Sequence, residues 1–312
     1  MIAFGPIPSR RLGQSLGVNN IPLKNYTYDC VYCQVGSTSS DALESRTFYS
    51  PEAILQAVQQ RVQEVQAAGG HIDYLSIVPD GEPSLDVQLG ASIQALRPLG
   101  IKIAVITNSS LLWREQVRQN LALADLVSLK VDTVLEESWR KINRPNRQLS
   151  LPAILRGALA FARDFQGKLI TETMLVRGIN DQESTLQATA AFLGQLDPDV
   201  AYLAIPTRPP TEKNIQPPDE TTLNRAYQIF SQQVRKAECL TGFSPDTFSA
   251  SGDVLQNLLN ITAVHPVRES EVLSLLKRGG YEAQALDFLV DEGKLARVLH
   301  QDVPFYVRKF SA

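Results

Sequence analysis

The stretch SPEAILQAVQQRVQEVQAAGGHIDYLSIVPDGEPSL (residues 50–85) carries a helix pattern, a strand pattern and a turn in immediate succession. Ser50 suits an N-cap, Pro51 the first helical position and Glu52 the first turn, while Ile54, Leu55, Val58, Val62 and Val65 recur at helical spacing. Residues 72–78, IDYLSIV, form a short apolar run of strand type, and PDGEPSL (79–85) ends it. The cycle continues downstream. Helical LGASIQALRPL (89–99) precedes IKIAVIT (101–107), REQVRQNLALA (114–124) precedes LVSLKVD (126–132), LPAILRGALAFARDF (151–165) precedes KLITETMLV (168–176), and STLQATAAFLGQL (184–196) precedes VAYLAIP (200–206). Strands apolar nearly throughout, alternating with helices, mean a parallel sheet covered by helices. Upstream, SLGVNNI (15–21) supplies a first strand, giving about six β/α units against the eight that close a full barrel. The expected fold class is α/β, a partial (β/α)6 barrel.

In such folds ligand chemistry collects at the C-terminal ends of the strands. That rule selects KNYTYDCVYCQVG (24–36) after strand one, PDGEPSL (79–85) after strand two and TNSS (107–110) after strand three. It also selects Lys130 and Asp132, then Glu172, Met174 and RGIND (177–181), and PTRPP (206–210). Plain structural readings stand beside these. Residues 80–83 are an ordinary turn sequence, Thr107-Asn108 could end a strand, and Lys130 with Asp132 could form an internal salt bridge. Arg10 and Arg11 either bind an anionic substrate or solvate the first strand.

With 44% hydrophobic residues over 312, the chain can bury a full core, and at 20% charged with a net charge of -3 it presents no global positive field for nucleic acid or an anionic membrane. No apolar stretch approaches the length of a membrane span and no secretory leader pattern opens the sequence, so a soluble, cytoplasmic protein is expected. Three cysteines cannot make a disulfide framework, which leaves metal binding or redox chemistry for Cys30-x-x-Cys33. Cys239, in AECLTGF, reads as a small buried residue. Three histidines, His71, His265 and His300, are too few and too scattered for a histidine-rich metal site. No G-x-G-x-x-G follows the first strand, which excludes a dinucleotide fingerprint there.

The tail has another rhythm. ESEVLSLLKR (269–278) and EAQALDFLVDE (282–292) read as short helices joined at Gly279 and Gly280, followed by KLARVL (294–299), a turn at 300–302 and PFYVRKF (304–310). Helix, turn, helix and hairpin is a winged-helix-like pattern, so domains are expected at 1–245 and 250–312. Over residues 268–309 seven basic residues face seven acidic ones, which favours packing, substrate presentation or partner docking over nucleic-acid contact.

Closely spaced thiolates on a loop can hold the irons of a cubane cluster and leave one iron open. Here the resemblance becomes specific. FGPIPSRRLGQSLGV (4–18), TYDCVYCQVG (27–36), PDGEPSLD (79–86), VITNSSLLWREQVR (105–118), KINRPN (141–146) and LVRGIND (175–181) are similar, in this order, to the radical S-adenosylmethionine (SAM) superfamily. Within it they resemble the iron–sulfur oxidoreductase branch related to the archaeal wyosine-forming tRNA enzyme. The resemblance covers about residues 1–210. It implies a [4Fe–4S] cluster on the motif C-x3-C-x-aromatic-C, with SAM chelating the open iron, and reductive cleavage of SAM to a 5′-deoxyadenosyl radical that abstracts hydrogen from a substrate. Cys30 and Cys33 would be cluster ligands, and Tyr32 would lie near the adenine. The backbone of Gly81, Glu82 and Pro83 would receive the methionine amino group, the missing Cβ of Gly81 allowing close approach. Asn108 and Ser109 would face the ribose or sulfonium, and Lys130, Asp132, Glu172 and Met174 would line the cavity. No residue is singled out as catalytic. The resemblance further implies a flavodoxin or ferredoxin reductant and leaves the substrate open, with RNA and protein as the candidates.

The sequence departs from the motif at its first cysteine, where Tyr26 stands. A phenol has a reference pKa near 10 and a harder donor atom than a thiolate. Tyr26, water or Cys239 could complete an unusual cluster; alternatively the site is degenerate and the protein is a catalytically silent SAM-binding or partner-binding module. Thiol–disulfide chemistry at Cys30 and Cys33 is a third reading, and a substitution confined to this copy a fourth.

Overall fold

A computed structural model describes residues 1–22, 25–33, 43–207, 210, 212, 214–240, 254–264, 267–300 and 303–309. Parts of several expected segments lie outside these: the end of the cysteine loop beyond Cys33, the centre of PTRPP, His265, the hairpin turn at 301–302, and the expected domain limit between 245 and 250.

The chain opens with a hairpin of β1 (Ala3–Ser9) and β2 (Gly13–Val18), paired antiparallel. The helix α1 (Pro51–Ala67) leads to β3 (Tyr74–Ile77), and α2 (Leu89–Leu96) leads to β4 (Lys102–Thr107). α3 (Glu115–Leu121) precedes β5 (Leu126–Lys130); α4 (Glu136–Ile142) and α5 (Leu151–Asp164) precede β6 (Lys168–Met174). α6 (Glu183–Leu196), β7 (Val200–Ala204), α7 (Glu220–Ser231) and β8 (Ala237–Leu240) complete the unit. The strand order is β1-β2-β3-β4-β5-β6-β7-β8, with every pair from β2 to β8 parallel. The α/β partial barrel is as expected, but its sheet has eight strands rather than six. The two extra strands flank the rest. β1, FGPIPS with two prolines, and β8, the short AECL, are edge strands, where missing backbone donors and short length are tolerated.

Local chemistry explains the elements. The Ser50 hydroxyl caps α1 by accepting from the Ala53 N–H at 3.2 Å, and Pro51 occupies the first turn. Ile54, Val58, Val62 and Val65 then pack on Leu16, Leu75 and Ile77 in the main core between helices and sheet. The inner face holds a separate apolar floor. Leu12, in the β1–β2 turn, packs with Ala104, Leu126, Ile170, Val200 and Tyr202, so the hairpin plugs the N-terminal end of the barrel.

Residues from 254 onward form α8 (Val254–Val264), β9 (Val267–Arg268), α9 (Glu269–Arg278), α10 (Gln284–Asp291), β10 (Leu295–His300) and β11 (Val303–Arg308). Their apolar cluster centres on Leu258, Val272, Leu275 and Leu286, with Ile7 of β1 packed against it, and their three-stranded sheet runs β10-β11-β9.

Candidate functional site

The loop bearing the cysteines hangs on the segment after α4. Asp29 N donates to Asn143 O at 3.0 Å, Val31 N to Ile142 O at 2.9 Å, and Asn146 N to Thr27 O at 3.0 Å. Tyr28 bridges Pro145, meets the Trp139 ring edge-on at 6.0 Å, and its hydroxyl accepts from Trp139 Nε1 at 3.2 Å. Cys33 N donates to Cys30 O at 2.9 Å, closing the C-x-x-C turn. Asn143 Nδ2 reaches Cys30 Sγ at 3.3 Å and Asp132 Oδ2 at 2.7 Å. Burial, then the Asp132 charge, pushes the Cys30 thiol up to about 12, against the polar neighbours Tyr32 and Asn143 and the Lys130 charge.

Tyr26 lies half-buried in the same loop. Burial, then the charges of Cys33, Asp80, Cys30 and Glu82, raises its phenol far above the ordinary tyrosine range. These causes place the phenol in the company of both thiols. Cys239 is elsewhere: it pairs with Leu203 across β7 and β8 and packs against the main core. Among the described residues no three His, Cys, Asp or Glu side chains gather closely enough to hold a metal ion, so Cys239 is not brought to the loop.

The Gly81–Pro83 segment is stitched to this loop. Asn25 bridges Gly81, and Glu82 N donates to Asn25 O at 2.9 Å. A Cβ on Gly81 would fall 2.5 Å from the Ile21 side chain and 2.8 Å from Asn25 O. The glycine is therefore required by the approach of the cysteine loop itself, a different reason from the expected approach of a ligand. Glu82 is 1% exposed, and its carboxylate accepts from Ser84 N (3.0 Å), Ser84 Oγ (2.5 Å), Thr107 Oγ1 (2.6 Å) and Asn108 N (2.7 Å). Burial raises its pKa against those bonds. The side chain thus binds the end of β3 to the end of β4, and the carbonyl of buried Pro83 accepts from Asn20 Nδ2 at 3.1 Å. Asn108 is likewise committed, its Nδ2 donating to Thr27 Oγ1 at 2.9 Å and its Oδ1 accepting from Ser110 N at 3.0 Å. Ser109 differs. It sits at φ 68°, and its buried hydroxyl has no hydrogen-bond partner among the described residues.

A polar chain continues down the barrel. Asp132 Oδ2 accepts from the Tyr32 hydroxyl at 2.5 Å, and Oδ1 from Met174 N at 2.8 Å. Lys130 Nζ donates to Glu172 Oε1 at 2.6 Å, lies 3.9 Å from Asp132 Oδ1 and 4.9 Å from the Tyr32 ring centre. The main partner of Lys130 is Glu172, with Asp132 a longer second contact. Arg11 Nη1 donates to Glu172 Oε2 at 2.6 Å, so it belongs to the barrel interior and does not solvate the first strand. Burial opposes the Glu172 charge, but Lys130 and Arg11 prevail and hold its pKa at about 2. Tyr32 and Met174 also pack together with Val31, Ile142 and Val176.

The structure brings Cys30, Tyr32, Lys130, Asp132, Glu172 and Met174 into one network, and Gly81, Glu82, Pro83, Asn108 and Ser109 into an adjoining one. Residues not picked out beforehand join them. Asn143 belongs to KINRPN, two residues ahead of Pro145, and Asn180, in RGIND, donates to both Asp132 O (2.7 Å) and Met174 O (2.8 Å). Asp80, whose carboxyl burial lifts to about 6, lies in the PDGEPSL segment selected at the end of strand two but carried no role of its own there.

A seven-strand parallel run with two cysteines and a G-E-P segment at its C-terminal edge defines a class. Residues 27–188 match the radical SAM superfamily, and the chain belongs to it. It is 44% identical over 313 residues to a UPF0026 protein of Methanocaldococcus jannaschii, covering 100% of this chain and 97% of that one. Its fold is similar to a radical SAM methyltransferase from Sphaerobacter thermophilus (TM-score 0.56, 15% identity, covering 74% of this chain and 67% of that one). It is similar in fold to TYW1 with a lysine-pyruvate adduct bound (TM-score 0.55, 15% identity, 70% and 74% covered). The superfamily implies a [4Fe–4S] cluster and SAM. Two thiols on one turn suit such a cluster, and the orphaned Ser109 hydroxyl suits a polar ligand beside it. No helix among the described residues is long and apolar enough to cross a membrane.

Proposed function

We propose that the chain is a radical SAM enzyme in which Cys30 and Cys33 hold an iron–sulfur cluster, with Tyr26 at the third ligand position. The observation that carries this reading is the stitching of the cysteine loop to Gly81 and Glu82, which sets thiols, phenol and the G-E-P backbone around one place. When bound and reduced, the cluster supplies the electron that cleaves SAM and yields a carbon-centred radical able to take hydrogen from a substrate. The protein's part is binding and positioning. The Gly81–Pro83 backbone receives the methionine amino group, Glu82 fixing that backbone from behind, and Ser109 offers its free hydroxyl to the ribose. Tyr32 and Met174 present an apolar wall to the nucleoside, while Lys130, Asp132 and Glu172 supply fixed charges that orient the substrate.

The substrate is RNA or protein, the reductant a flavodoxin or ferredoxin, and the setting cytoplasmic. Residues 1–245 form the barrel domain and 250–312 a winged-helix-like domain for partner docking. A second reading has an observation of its own: burial, with the ionisable groups of Cys33, Asp80, Cys30 and Glu82 alongside, favours the neutral phenol at Tyr26, which supports a catalytically silent module.

Anaerobic reconstitution with iron and sulfide decides between them, applied to the unsubstituted protein and to Tyr26→Cys, with iron and sulfide content, EPR after dithionite and 5′-deoxyadenosine as readouts. A stable cluster and SAM cleavage in the unsubstituted protein are expected. Cleavage by Tyr26→Cys alone overturns the enzyme reading and establishes the silent module.

A further inference from the structure

Asn143 is 3% exposed, sits at the end of α4 and touches the metal-binding loop with both main chain and side chain. Its carbonyl receives Asp29 N at 3.0 Å. Its amide nitrogen carries two hydrogens set about 120° apart by the planar amide, and two strong acceptors lie in range: Cys30 Sγ at 3.3 Å and Asp132 Oδ2 at 2.7 Å. The Tyr32 hydroxyl, at 3.5 Å, already donates to the same Asp132 oxygen at 2.5 Å. By distance one hydrogen goes to the carboxylate and the other to sulfur, the Tyr32 oxygen standing at the limit of a hydrogen bond. Asp132 is itself immobile, 4% exposed and fixed from its other oxygen by Met174 N at 2.8 Å. Cys30 is thus tied through the Asn143 side chain to the end of β5.

We propose that Asn143 is a positioning residue for the metal ligand Cys30: its amide donates an N–H···S bond that aims the sulfur and, through Asp132, anchors it to the barrel wall. This rests on the reading of Cys30 and Cys33 as metal ligands. Hydrogen bonds to ligand sulfurs and outer-shell partners of metal ligands set both affinity and redox potential. An asparagine suits the place because its two hydrogens diverge to sulfur and carboxylate together. Leucine has its size and no donor, and aspartate has its shape with an acceptor facing Asp132.

The test begins with Co²⁺ alone, added anaerobically to the apoprotein and followed by the thiolate-to-cobalt charge-transfer band. Asn143→Leu is expected to weaken Co²⁺ binding about tenfold or more and to shift the band to lower energy, because a sulfur freed of its hydrogen bond is a better electron donor. Asn143→Asp, nearly isosteric, shows the same two changes if Asn143→Leu fails to fold. A residue that only supports the fold would lower the melting temperature without moving the band. In reconstituted protein carrying Tyr26→Cys, Asn143→Leu shifts the cluster midpoint potential negative. Unchanged affinity and band position, or no cobalt site in the unsubstituted protein, overturns the proposal. The cobalt arm needs neither SAM nor an iron–sulfur cluster, so a failure of SAM cleavage with an Asn143-dependent cobalt site refutes only the enzyme reading.

Discussion

Replacing Glu172 by glutamine isolates the charge network inside the barrel. The carboxylate stands between Lys130 Nζ and Arg11 Nη1, each 2.6 Å away, and the three side chains are 17–20% exposed. Its pKa falls from 4.5 to about 2 although burial works the other way. A depressed carboxylate contributes stability that is fully present above the unfolded pKa and is lost as pH falls through the folded one. At neutral pH the contribution is about 3 kcal/mol, from about 2.5 units at about 1.4 kcal/mol each. At pH 3, midway through the window, about 2 kcal/mol of it has gone. Urea unfolding of wild type and Glu172→Gln at pH 7 and pH 3 measures this directly. The variant is expected to be about 3 kcal/mol less stable at pH 7, since it leaves two cations facing a neutral amide, and the gap should shrink to about 1 kcal/mol at pH 3. A gap independent of pH would refute the account, because a loss from packing alone does not titrate.

Three further outcomes follow from particular contacts. Asp80, lifted to about 6 by burial, lowers stability as pH rises from its ordinary value of 3.8, so Asp80→Asn should gain up to about 3 kcal/mol at pH 8 and nothing below pH 3.5, read by thermal melts. Gly81→Ala must displace Ile21 or Asn25, costing about 1–3 kcal/mol and weakening SAM binding measured by calorimetry. Leu12→Ala empties the barrel floor and should cost about 2–5 kcal/mol in urea unfolding without altering SAM affinity.

The alternation of helix and strand was legible because each strand between helices is buried on both faces and reads as one apolar run, as IKIAVIT does. β1 and β8 escaped notice for the converse reason: FGPIPS is broken by prolines and AECL is too short and mixed to show a period. At the site, cysteines and a G-E-P turn announce themselves by residue type. What each side chain does depends on neighbours distant in the chain. Nothing local says that Glu82 would spend its carboxylate on Ser84, Thr107 and Asn108, or that Arg11 would cross the barrel to Glu172. Tyr26 is plain in the sequence as a departure, but the company it keeps emerges only when Asp80 and both thiols are seen around it.

The antiparallel seam between the cysteine loop and the segment after α4 also has a temporal side. Cys30 and the side chain that reaches its sulfur are 113 residues apart, and the seam closes a loop containing α1 to α4 and β3 to β5. Closing so long a loop costs chain entropy that local contacts cannot offset, which places the seam among the late steps of folding. On the ribosome the cysteines emerge well before their frame. The thiols therefore acquire a fixed geometry only after the first half of the barrel has assembled, which makes the closing of that half the first step of building the site.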